Sequence, residues 1–80
     1  MYVIGFIGFN GELGRTYIAG TLEEASWQAS IVASQEYGCD VPHSYWEDNS
    51  SYNVVETSEQ SGKIWYSNIG TIFVGSLERT

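Results

Sequence analysis

Only one stretch of this chain carries helix punctuation at both ends, and almost everything around it is patterned as strand. Thr21-Leu22-Glu23-Glu24 reads as a capping box. The Thr21 hydroxyl can accept from the Glu24 amide, and the Glu24 carboxylate can reach back. Both glutamates also sit at the positive end of the helix dipole. Gly38 supplies a stop signal, so the spacing predicts a helix from Leu22 to Tyr37. Leu22, Ala25, Ala29, Val32 and Ala33 share one stripe of that helix. Most of these side chains are small, which lets the helix lie close against a sheet.

Residues 1–9 read as a first strand, rich in Val, Ile, Phe and Tyr. Asn10-Gly11 is a turn pair, and a second strand follows over Gly14–Ala19. After the helix, Cys39–Ser51 reads as a loop with a short helical turn, carrying Pro42, His43 and Tyr45-Trp46-Glu47-Asp48. Tyr52–Ser58 alternates as a third strand, and Glu59–Gly62 is a turn. Lys63–Asn68 and Thr71–Leu77 read as two further strands on either side of an Ile69-Gly70 break. With 80 residues the chain suits one compact domain, 1–80. The expected fold class is α+β, a single antiparallel sheet of four to five strands with one helix packed on one face, in the order ββαβββ.

One helix covers one face of a sheet. The first strand is nevertheless apolar on both, with Tyr2, Ile4 and Phe6 against Val3, Ile7 and Phe9. Simple alternation sets Trp65 and Phe73 against Ile64, Tyr66, Ile72 and Val74. A sheet with a wet face alternates more cleanly. Part of the second face is therefore expected to be covered by the loop at 39–51, by a second copy of the chain (a homodimer), or by a partner.

Ten acids against three bases give a net charge of −7. This disfavours a direct grip on nucleic acid, which needs clustered Lys and Arg, and docking on an anionic membrane. The apolar start lacks a preceding positive charge and is too short to cross a bilayer. The lone Cys39 excludes an internal disulfide framework, and a free thiol fits a reducing cytoplasm.

Few constellations offer chemistry. Cys39 and His43 are four apart, but no third group to orient them is identifiable, so a loop cysteine beside a surface histidine is preferred. Adding Asp40 leaves a donor set too poor for structural zinc. The glycines at 5, 8, 11 and 14 form no phosphate-binding fingerprint. Glu23-Glu24 is explained by capping, whereas Glu47-Asp48 has no evident structural duty. No catalytic residue, metal or cofactor is expected.

The outer helix face is the more informative. Trp27 and Ile31 are i, i+4 neighbours nearly opposite the alanine stripe, with Glu23, Glu24 and Gln35 around them. Either the core stripe is wider than drawn, a loop folds over the pair, or they form an apolar anchor rimmed by acids. The candidate partner-binding residues are Glu23, Glu24, Trp27 and Ile31, with Tyr45, Trp46, Glu47 and Asp48 from the loop.

The opening strand Tyr2–Phe9, the segment Ile18-Ala19-Gly20-Thr21-Leu22-Glu23-Glu24-Ala25, the alanine-rich helix and the closing strands Lys63–Leu77 together resemble the small acidic anti-CRISPR proteins encoded by phages. The resemblance is one of size, charge and architecture, with no diagnostic motif and no residue role to transfer. It implies a non-enzymatic inhibitor that blocks a basic surface of a bacterial nucleic-acid-binding protein or ribonucleoprotein complex in the host cytoplasm. Two alternatives are a self-associating structural or assembly module and a small-ligand-binding domain with aromatics lining its pocket.

Overall fold

A computed structural model describes residues 1–77. Glu78, one of the ten acids, lies outside them. Four strands and two helices follow in the order β1 (Tyr2–Gly8), β2 (Tyr17–Ala19), α1 (Leu22–Tyr37), α2 (Tyr45–Asp48), β3 (Ser51–Gln60) and β4 (Lys63–Ser76). The strands form one antiparallel sheet in the order β2-β1-β4-β3, with α1 across one face. The expected α+β architecture is present, with ββαββ in place of ββαβββ.

Helix α1 has the predicted bounds. The Thr21 side chain accepts from the Glu24 amide at 3.2 Å. The Glu24 carboxylate accepts from the Gly20 amide at 3.1 Å, one residue further back than a strict capping box. At the other end Gly38 N–H donates to Ser34 O and Cys39 N–H to Ala33 O. Ala25, Ala29, Val32 and Ala33 are buried as the stripe requires, while Leu22 at its start remains exposed. The alanines bring the helix backbone close to Ile4, Val54 and Ile72, which are the largest buried apolar side chains of the sheet.

Two strands differ from expectation. β2 is only three residues long, because Gly14 N–H is spent on Phe6 O and a single bridge joins Ile7 to Leu13. The fourth and fifth expected strands are one strand, β4. Val54 pairs with Gly70 and Val55 with Asn68, so Ile69 is an extra residue bulged out of the ladder. The Gly70 N–H is satisfied by the Asn68 side chain at 3.0 Å. The glycine next to the bulge is a steric requirement. A Cβ on Gly70, which holds φ +156, would strike the Phe6 ring and lie 2.5 Å from Ile7 O. The Ile69-Gly70 pair thus marks a bulge and does not end the strand.

Beyond the bulge, residues 55–60 and 63–68 continue as a two-stranded arm whose every residue is exposed. Ser61 and Gly62, both at positive φ, close its tip as a two-residue turn of the kind that matches strand twist. The arm makes the molecule 53 Å long and only 20 Å thick. Its radius of gyration, 13.9 Å, exceeds the roughly 12 Å of a compact chain of this size.

The loop at 39–51 packs on the helix side, where Val41 and Trp46 join the core. It is removed as a candidate cover for the second sheet face, which stays open among the described residues.

Replacing Gly70 with Ala is expected to lower stability by about 1–3 kcal/mol in urea denaturation. Gly75→Ala, whose Cβ meets only Val3 at 3.5 Å, is expected to cost less than about 1 kcal/mol. Equal losses at the two sites would show that the Phe6 contact does not govern the bulge.

Candidate functional site

The acids are unevenly placed. Glu23, Glu24 and Glu36 project from α1, Asp40 from the following loop, and Glu47 and Asp48 from α2, all on the helical side. On the strand residues of the opposite sheet face, register and alternation place only Glu59. The helical side is thus the negative one. The Arg15 guanidinium lies beside Tyr17 and Glu36, and these neighbours raise its pKa above the ordinary value, Tyr17 foremost. The Tyr17 hydroxyl itself donates to the Glu36 carboxylate at 2.9 Å.

Within that acidic surface Trp27 stands half exposed, at 50 %. The loop after α1 brings the imidazole of His43 flat onto its indole, with ring centroids 3.9 Å apart and planes 15° from parallel. Two of the expectations for Trp27 are therefore each met in part. A loop folds over one side of the ring, and the remaining half faces solvent. Ile31, one turn on, is exposed as well. Beside the stacked pair, Leu22, Glu23, Ser26, His43 and Glu47 line an open pocket of about 380 Å³. Glu23 comes from the first turn of α1 and Glu47 from α2, so two separate elements bring their carboxylates to one recess.

The other candidate residues divide by duty. Glu24 is committed to the cap. Tyr45 is structural: its hydroxyl donates to Ser51 O, and its ring meets Trp46 and Tyr52 edge-on. Trp46 is a correction to the expected binding surface. It is 2 % exposed, sits in the core, and its indole N–H donates to the Ser30 hydroxyl at 3.2 Å. Four-residue helix α2 places an aromatic and two acids on different sides, so Trp46 turns inward while Glu47 and Asp48 stay in solvent. Asp48 borders a second recess of about 330 Å³, with Tyr2, Leu22 and Val74 among its walls.

Cys39 is partly buried, and its thiol faces Tyr37 O at 3.5 Å. His43 is occupied with Trp27. Among the described residues no group of three His, Cys, Asp or Glu side chains converges as a metal site, and no helix is long and apolar enough to cross a membrane. His43 is the functional candidate that spacing missed. Sixteen residues separate it from Trp27, and only the fold of the intervening loop makes them neighbours.

No family model, curated protein or solved structure matches this chain.

Trp46→Ala is expected to destabilise the fold by about 3–5 kcal/mol, as a buried aromatic truncation does. Trp27→Ala is expected to cost about 1 kcal/mol, the worth of one stacked pair. Urea denaturation of both variants checks the assignment of one indole to the core and the other to the surface.

Proposed function

We propose that this chain is a non-catalytic inhibitor protein of the small acidic phage type, acting in the manner of anti-CRISPR proteins. Its helical side docks on a basic surface of a bacterial nucleic-acid-binding protein or ribonucleoprotein complex in the host cytoplasm. One observation carries the proposal: His43, stacked on the half-exposed Trp27, lines one recess together with Glu23 and Glu47 on the negative side of the molecule.

That arrangement suits a cationic side chain. An arginine from a partner can lay its guanidinium against the exposed indole face, an attraction worth about 0.5–2 kcal/mol depending on desolvation. The same guanidinium can pair with a carboxylate through two parallel N–H···O bonds. Trp and Arg are the residues most enriched at the energetic centres of protein interfaces. The surrounding acids steer a basic surface into place and repel nucleic acid phosphates. A protein whose positive groove binds nucleic acid offers such arginines, and their occupation would block it.

Capture from bacterial lysate on immobilised chain tests this. A basic nucleic-acid-binding protein is expected to be retained at low salt and released at about 0.5 M salt, where screening acts within roughly 4–5 Å. Trp27→Ala, and Glu23→Gln with Glu47→Gln, are expected to cut retention at least about tenfold, the equivalent of 1.4 kcal/mol. Retention of no basic protein at low salt, or equal retention by the variants, would overturn the assignment.

A further inference from the structure

The sheet face turned away from α1 is nearly uncharged and carries apolar side chains along its length, with Asn53, Asn68 and Thr71 among them. Its rows follow from register: Ile18 beside Val3, then Leu13 beside Ile7, then Val55, then Tyr66 beside Thr57. Phe73 lies across Gly5 at its centre, where a Cβ would meet the ring at 2.7 Å. The bulge at Ile69 carries the apolar residues of the face onto the arm. Without it, alternation would send Ile64 and Tyr66 to the helical side with Ile72. With it, they share a face with Phe73. Ile64 is 62 % and Tyr66 71 % exposed. The polar content is mostly neutral, including a Thr71–Asn53 hydrogen bond of 3.0 Å.

We infer that this face is the interface of a homodimer, in which two copies pack their sheets face to face about a two-fold axis with the helices outside. Three observations select a second copy as the occupant. The first is size. Fifteen strand residues lie on the face by register, with Leu13 bridged to Ile7 beside them, which approaches the roughly 20–30 a side of a standard interface. The second is charge. Each chain carries −7, and its copy can approach only where acids are absent; on this face Glu59 is the one charged strand residue, at the tip of the arm. The acids of α1 and α2 then point outward from both copies. The third is shape. The surface is the face of a twisted sheet, and two sheets of equal twist pack at about 30° with some 10 Å between them.

The arm supports the same occupant. A two-stranded ribbon is marginal alone in water. Here it holds Val55, Ile64 and Tyr66 on the dimer side and reaches past the body of its own subunit, so a second sheet beneath it supplies the missing layer. The interface is on the opposite side from Trp27 and stands or falls independently of the proposed inhibitory docking.

Sedimentation or light scattering of the full chain over a wide concentration range is the test. The expected mass is twice 8.9 kDa, falling to the single value on dilution. Ile7→Glu, on the central strand of the face, is expected to weaken association at least about tenfold, as loss of an interface anchor does. Ile31→Glu on the outer helix face is expected to leave it unchanged. Circular dichroism confirms folding, and Ile18→Glu on the short edge strand replaces Ile7→Glu should the latter unfold. A single-chain mass at every concentration overturns the dimer. A doubled mass that survives both sheet-face variants also overturns it and moves the contact elsewhere, such as the free edge of β3.

Discussion

The contact between the Phe6 ring and Gly70 determines how far the sheet can run as a regular ladder. Phe6 belongs to the core face of β1, and its ring occupies the space where any side chain on Gly70 would project. A glycine stands there, and the next residue back along β4, Ile69, lies outside the register. An aromatic laid over a glycine on the neighbouring strand is a recurrent way of filling the gap that glycine leaves. In this molecule it also changes the parity of everything downstream. The bulge passes Ile64 and Tyr66 to the uncovered face and moves Trp65 to the helical side of the arm.

On the covered face the constraint is volume. An alanine stripe brings α1 so near the sheet that Ile4, Val54 and Ile72 nearly fill the space between, and no large helix side chain is needed. The small stripe leaves room at its flank, which Trp46 fills from α2. Nearby, at the carboxyl end of α1, Tyr37 stacks on Phe6 at 4.3 Å, and burial raises its phenol pKa above the ordinary value, with Glu36 and Tyr17 acting in the same direction. The loop at 39–51 is thus drawn to the helical side. The same movement sets His43 against Trp27 and Glu47 near Glu23, so the candidate site is a by-product of how the core is completed.

This explains which features could be read from residue order. Signals spanning four residues or fewer were legible: Thr21 with Glu24, the stop at Gly38, the alanine stripe, and a turn within Glu59–Gly62, of which Glu59 and Gln60 proved to belong to β3. The α+β class followed from them. The apolar character of both strand faces was also legible, because alternation is local. The bulge was not. A glycine between apolar residues reads equally as a strand end, and only the Phe6 ring sixty-four residues earlier decides between the two. Trp46 and Trp27 could not be ranked either. Each is an aromatic among acids in the sequence, and their opposite fates depend on where α2 docks.

The two surfaces that result have opposite chemistry, and the sheet separates them. Acids crowd the side with the helices, where they sit on elements held rigid by the core, so presenting them to a partner orders little that was free. The other side is nearly uncharged and apolar, a distribution that water does not favour for an isolated sheet face. A chain of net −7 can bring copies of itself together only by such segregation. Contacts more than about 7–10 Å apart with no shared partners contribute independently. Joining the sheets therefore need not alter the geometry of Trp27, His43, Glu23 and Glu47, while it would set two such clusters on the outside of one particle. In the proposed dimer, two clusters on one rigid body would raise the effective concentration of the second for a target bearing repeated basic sites, and the uncovered sheet face would then add to binding strength without any contact to the target.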